Sequence, residues 1–107
     1  MCLSDFNQEM YLVMTTEVDR KNALKLANLL LREKLIPCVS FKRIESYFWW
    51  EGNINQSEEV QLMIKCKKKN VNKVCNKIAE WHSYDLPEII YFRVSANKNY
   101  HHWVNSI

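Results

Sequence analysis

Apolar residues along this chain recur with two periods, one suited to strands and one to helices. "MYLVMTT" (Met10 to Thr16) is a short apolar, β-prone run with the length of a buried strand. Asp19 then offers a helix cap. Ala23, Leu26, Ala27 and Leu30 follow at helical spacing, widened by Leu24 and Leu31, which predicts a helix from about Arg20 to Lys34. Pro37 prevents the helix from continuing and keeps Ile36 extended. From Cys38 to Cys66 the pattern is that of a long hairpin. Its first arm, Cys38 to Trp50, is rich in β-branched and aromatic residues, and Gly52 with Asn53 marks the turn. In the second arm Val60, Leu62, Ile64 and Cys66 alternate with Gln61, Met63 and Lys65, as in a half-buried strand. Asn70 is placed to cap a second helix, striped by Val71, Val74, Cys75, Ile78 and Trp81 and ending near His82. "EIIYFRV" (Glu88 to Val94) predicts a fourth strand, and Tyr100, Trp103, Val104 and Ile107 return to helical spacing.

The order strand, helix, strand, strand, helix, strand, short helix predicts an α+β, ferredoxin-like split βαβ fold. Both crossover helices then lie on one face of a four-stranded antiparallel sheet, and a short C-terminal helix follows. Residues 1–9 read as a loose leader and residues 10–107 as one domain, a length sufficient for one core. The adjacent rings of Tyr47, Phe48, Trp49 and Trp50 do not suit a lone domain. Period-two alternation would put some of them in water, and contiguous exposed apolar surface marks an interface. A homo-oligomer is expected on this ground alone.

Composition narrows the function. The single glycine, Gly52, excludes glycine-rich phosphate loops of the Rossmann or Walker type. The net charge of +3 is mild, and the basic run "KCKKK" (Lys65 to Lys69) reads as a solvated strand end, so no nucleic-acid partner is expected. Cys2, Cys38, Cys66 and Cys75 include no C-x-x-C pair. The N-terminus has no basic start followed by a long apolar run, and no stretch is long enough to span a bilayer. These features suit a cytoplasmic protein with reduced thiols and no membrane partner. No serine stands in a recognisable nucleophile turn, and no catalytic set emerges; the chain is read as a non-enzyme.

Six short patterns, in order and at consistent separations, resemble the CutA family, named for divalent-cation tolerance. They are Thr15, Thr16, Asp19, Ala23, Leu26, Ala27 and Leu30; Leu35, Cys38 and Val39; Ser46, Phe48, Trp50 and Gly52; Glu59, Val60 and Lys65; His82, Tyr84, Pro87 and Glu88; and Asn97, Tyr100 and Trp103. The likeness runs from about Tyr11 to Ile107. The chain departs from the family at Val18 and Ser83, where proline is usual, at Pro37, where alanine is usual, and at Ser40, where asparagine is common. The Pro-Gly before the long strand is lost, with Arg43 in the shortened loop. The resemblance implies a homotrimer in which the hairpin reaches a neighbour, with Phe48, Trp49 and Trp50 at the trimer interface. It also implies association with copper or another divalent metal ion, with no cofactor required and no protein partner named. The trimeric nitrogen-regulatory PII proteins share this fold. A signalling or scaffold module that binds a small anion or a protein at its inter-subunit clefts is therefore the second expectation.

Two residues are expected metal ligands, Cys38 and His82. A cysteine thiolate suits copper or zinc, but an unpaired cysteine is also a small buried hydrophobe. Imidazole suits copper, zinc and nickel, but a histidine ending a helix is also favoured by the helix dipole or by backbone carbonyls. In the family reading Glu59, Lys65 and Tyr84 line an inter-subunit cleft, beside Asp85 and Glu88. Adjacent His101 and His102 do not share a helix face and make no metal pair.

Overall fold

The computed structural model describes residues 8–107. Four strands form one antiparallel sheet in the order β2-β3-β1-β4: β1 (Gln8–Glu17), β2 (Cys38–Trp50), β3 (Asn53–Cys66) and β4 (Ile89–Ala96). Helices α1 (Arg20–Arg32) and α2 (Val71–Trp81) are the crossovers, a single 3-10 turn (Lys68–Asn70) leads into α2, and α3 (Lys98–Asn105) ends the chain. This is the expected α+β split βαβ arrangement.

The alternation decides which face is buried. Val13 of β1 sits beside Ile64, and Thr15 beside Leu62, so one face of the central strands is apolar. That face joins Ala23, Leu26, Ala27 and Leu30 of α1 and Val71, Val74 and Ile78 of α2 in one buried cluster. Both crossover helices therefore cover the same side. On the opposite side α3 packs on β1, where Met10 and Val104 are buried. The rest of that side carries Ile90 and Phe92 of β4, both substantially exposed, in register with Met14 and Leu12 of β1.

Local chemistry sets the element ends. Asp19 caps α1, its Oδ1 accepting from Asn22 N–H at 2.8 Å. At the other end Lys34 takes φ = 57°, and Lys34 N–H and Leu35 N–H return to the carbonyls of Leu31 and Leu30. That is a Schellman closure with lysine in the place glycine usually takes, and it stops the helix two residues before the expected Lys34. β1 begins at Gln8, so Gln8 and Glu9, expected in the leader, are sheet residues paired with Ala96 and Ser95. The remainder of the expected leader lies outside the described residues.

The hairpin turn is shifted by one residue from the expected Gly52–Asn53. Trp50 pairs with Asn53, which leaves Glu51 (φ = 51°) and Gly52 (φ = 78°) as the two turn residues. Positive φ at both is the turn whose twist matches a β-hairpin, and glycine meets that requirement at the second position. Asn70 stands at the start of α2 as expected, but its side chain does not cap. Its Nδ2 donates instead to the Leu35 carbonyl at 3.2 Å and ties the two turns at that end of the sheet together.

Candidate functional site

The end of β1 collects polar groups that the sequence scatters. Glu17 shares the helix-facing side of β1 with Val13 and Thr15, and its carboxylate is buried. Its Oε1 accepts from Val18 N–H at 3.0 Å and from the Ser83 hydroxyl, and its Oε2 accepts from Ser83 N–H at 3.1 Å. A buried carboxylate needs such donors, since an unpaired one would be expelled or neutralised. Serine at position 83, where the family usually has proline, supplies two of the three.

His82 leaves the end of α2 and turns onto the same strand end. Its Nε2 lies 2.7 Å from the Thr16 carbonyl, and its Nδ1 faces Tyr84 N–H at 3.0 Å. A carbonyl only accepts and a backbone N–H only donates, so these partners assign the neutral tautomer with hydrogen on Nε2. Nδ1 is 3.6 Å from Glu17 Oε2, beyond hydrogen-bond reach, and carries no hydrogen to share with it. Both ring nitrogens are spent within the chain. His82 is thus a strut between α2 and β1, with no lone pair left for a metal in this arrangement.

Tyr84 continues the network to the other sheet face, its hydroxyl donating to Glu59 Oε2 at 2.8 Å. Burial first, then the Glu59 bond and the negative field of Glu59, Glu17 and Asp19, push its pKa well above the ordinary phenol value. Glu59 and Tyr84 line an open groove of 960 Å³, together with Trp49, Trp50, Asp85 and Glu88. Lys65 is not in that groove. It lies farther along β3, roughly 20 Å away at strand rise, and donates to Ser40 Oγ at 2.8 Å. Of the expected cleft set, Glu59 and Tyr84 meet and Lys65 stands apart.

Cys38 opens β2 opposite Lys65, half-buried. Tyr100 of α3 reaches it. Burial first, then Cys38 as neighbour and hydrogen-bond partner, raise the pKa of that phenol. Cys38 and His82 do not meet. Their strand neighbours Lys65 and Thr16 lie along β3 and β1 at positions roughly 13 Å apart at strand rise. Among the described residues no group of three or more His, Cys, Asp or Glu could hold a metal ion. Cys66 is fully buried, and burial, with Cys75 nearby, pushes its thiol up to about 12, which leaves it a packing residue.

Beyond Val60, where β1 stops pairing, β2 and β3 run on as a two-stranded ribbon for roughly 20 Å. Trp49 is 72% exposed, Tyr47 67% and Ile54 66%, with Phe48 and Trp50 exposed on the alternate side. Aromatic rings stand uncovered on both faces of the ribbon, opposite a mostly polar β3 arm.

This combination of ribbon, sheet order and C-terminal helix is shared with known proteins. The family model for the CutA1 divalent ion tolerance protein matches residues 11–107. The chain belongs to the CutA family. The divalent-cation tolerance protein CutA of Pyrococcus horikoshii is 34% identical over 96 residues, covering 89% of this chain and 94% of that one. Its counterpart from Pectobacterium atrosepticum is 32% identical over 96 residues, covering 88% and 87%. The crystal structure of CutA1 from Pyrococcus horikoshii superposes with a TM-score of 0.88 at 33% identity, covering 91% of this chain and 96% of that one.

The sequence did not single out Glu17, Ser83 or the Thr16 carbonyl. The signal for Glu17 was present in the period-two pattern, which places it on the buried side after Val13 and Thr15. The partners of His82 carry no such signal, because a backbone carbonyl has no residue code.

Proposed function

We propose that this CutA-family chain acts as a non-enzymatic homotrimer in divalent-cation tolerance, with copper or a similar divalent ion as cargo. The observation that carries the assembly is the two-stranded ribbon with aromatic rings on both faces. An isolated two-stranded ribbon is marginally stable in water, and exposed apolar surface of this extent calls for a partner. The sheet also ends in two unpaired edges, β2 and β4, and the exposed Ile90 and Phe92 flank one of them. Joining the edge of one copy to the other edge of the next is a head-to-tail contact, which closes into a ring when the rotation permits. Three copies bury the part of that sheet side left uncovered by α3, around Ile90 and Phe92, and give each ribbon a neighbour.

Metal binding rests on Cys38, the half-buried soft donor. Further donors come from neighbouring copies, because the described residues form no group of three or more such ligands. His82 is the weaker ligand of the expected pair, since a metal would have to displace one of its two hydrogen bonds. The rival reading, a PII-like module holding a small anion in its clefts, is disfavoured by charge. Among the described residues the groove presents Glu59, Asp85 and Glu88 and is lined by no lysine or arginine; Arg20 and Arg43 line the adjoining pocket. Calorimetric titration of copper into the wild type, Cys38→Ala and His82→Ala tests the reading. Saturable binding lost in Cys38→Ala is the expected result; absence of binding in the wild type would remove the metal function.

A further inference from the structure

The fold assembles a basic surface that the sequence shows only in part. The run Lys67 to Lys69 alone reads as a solvated loop. In the structure it lies against the turn that follows α1, because the Asn70 side chain is bonded to the Leu35 carbonyl. Arg32 and Lys34 close α1 at that turn, and Lys73 extends from the first turn of α2. All of these cations are exposed except Lys67, which is half-buried. Among the described residues Glu33 is the one acid in these segments. Glu9, at the same end of the sheet, is 3.6 Å from Arg93. Among the described residues none of the six cations lies within ion-pair distance of a carboxylate. Neither the 3-10 turn nor the first turn of α2 holds an acidic residue.

We infer that this surface, formed by the α1–β2 turn, the 3-10 turn and the start of α2, docks the phosphate backbone of nucleic acid without reading its sequence. Charge decides the class of partner: cations without carboxylate partners, of which only Lys67 is turned to a carbonyl (Asn105, 3.5 Å), gather on one end, attract a dense polyanion and release its counterions. The neighbouring exposed side chains of α2 decide between polyanions. Asn72 and Asn76 stand beside Lys73 and can donate hydrogen bonds to phosphate and sugar oxygens. An anionic bilayer would call for several apolar groups to insert; the outward side of the α2 start offers none, and Leu31 at the end of α1 is a single exposed one. No ring lies among these residues to stack on bases, so contact is confined to the backbone. The surface lies at the opposite end of β3 from the aromatic ribbon.

The test is fluorescence anisotropy of a labelled oligonucleotide of mixed sequence, titrated with the full chain at several salt concentrations. Saturable binding is expected at low salt, with a log–log salt slope of about −3 to −4 on duplex DNA if some four phosphates are neutralised. The variant Lys68→Glu/Lys69→Glu should weaken binding at least tenfold and make the slope shallower by about 2. Lys21→Glu/Lys25→Glu makes the same charge change at the other end of α1 and should alter affinity less than threefold. No binding by the wild type, equal losses in the two variants, or capture by phosphatidylserine vesicles in place of the oligonucleotide would each overturn the inference.

Discussion

Two regions of this molecule reverse the usual rule of polar outside and apolar inside. At the end of β1, a carboxylate, an imidazole, a serine and a tyrosine are gathered against the protein interior. On the β2–β3 ribbon, tryptophan and tyrosine rings stand in solvent. The first region has the composition of a catalytic cluster, yet its hydrogen bonds close within one chain. The second has the composition of a core, yet its chain provides nothing to cover it. Satisfaction, not composition, separates a joint from an interface: Glu17 and His82 have their partners, while Trp49 and Tyr47 do not.

The comparison can be broken most severely at the ribbon. Replacing Trp49 and Trp50 together with alanine should cost about 4 kcal/mol of apparent stability per chain, as for paired aromatic anchors at an interface. The loss should appear as dissociation in sedimentation and as a melting temperature that depends on protein concentration. If the rings are merely solvated, the double variant will sediment and melt as the wild type does.

Glu17 comes next. Glu17→Ala removes the buried acceptor shared by Val18 N–H, Ser83 N–H and the Ser83 hydroxyl and empties a buried side-chain site, and should cost about 3 kcal/mol in urea unfolding. Glu17→Gln keeps one acceptor oxygen and should cost about half as much. Equal costs would mean that the side chain contributes packing alone.

His82→Ala should cost about 2 kcal/mol, since it removes the acceptor for Tyr84 N–H and the donor to the Thr16 carbonyl. Its copper titration should match the wild type, while Cys38→Ala should show the reverse, lost binding with little change in stability. The two variants together separate strut from ligand.

Smaller effects refine the polar side. Thr15 Oγ1 is buried with no partner among the described residues, so Thr15→Val should be neutral or stabilise by up to about 1 kcal/mol. A clear loss would reveal a partner for that hydroxyl. The smallest effect concerns Asp19, whose backbone and side-chain bonds with Asn22 hold its pKa below the ordinary carboxylate value. A depressed folded pKa gives stability that is present above the unfolded value and lost as pH falls through the folded one. The melting difference between wild type and Asp19→Ala should therefore be present at neutral pH and shrink in acid.

The elements were legible in the sequence because period and punctuation agreed. The stripes of α1 and α2, the alternation of β3 and the break at Pro37 each point to the state observed. The errors arose where backbone geometry decided against side-chain habit. Glu51 accepts a left-handed conformation so that Trp50 can pair with Asn53, and Asn70 spends its amide on a distant carbonyl instead of its own helix. The site was legible only in part. Glu59 and Tyr84, named from the family pattern, meet within the chain, whereas Lys65, named with them, lies six positions along β3 from Glu59. Nothing in one dimension says that both nitrogens of His82 are already used, because one partner is a carbonyl far along the chain.

The central claim is that the ribbon is completed by other copies of the same chain. Sedimentation equilibrium at micromolar concentration tests it directly. The account requires a single species with the mass of three chains, reduced to one chain in the Trp49→Ala/Trp50→Ala variant. A wild-type protein that sediments as one chain, with its ribbon tryptophans quenched by solvent, would contradict it.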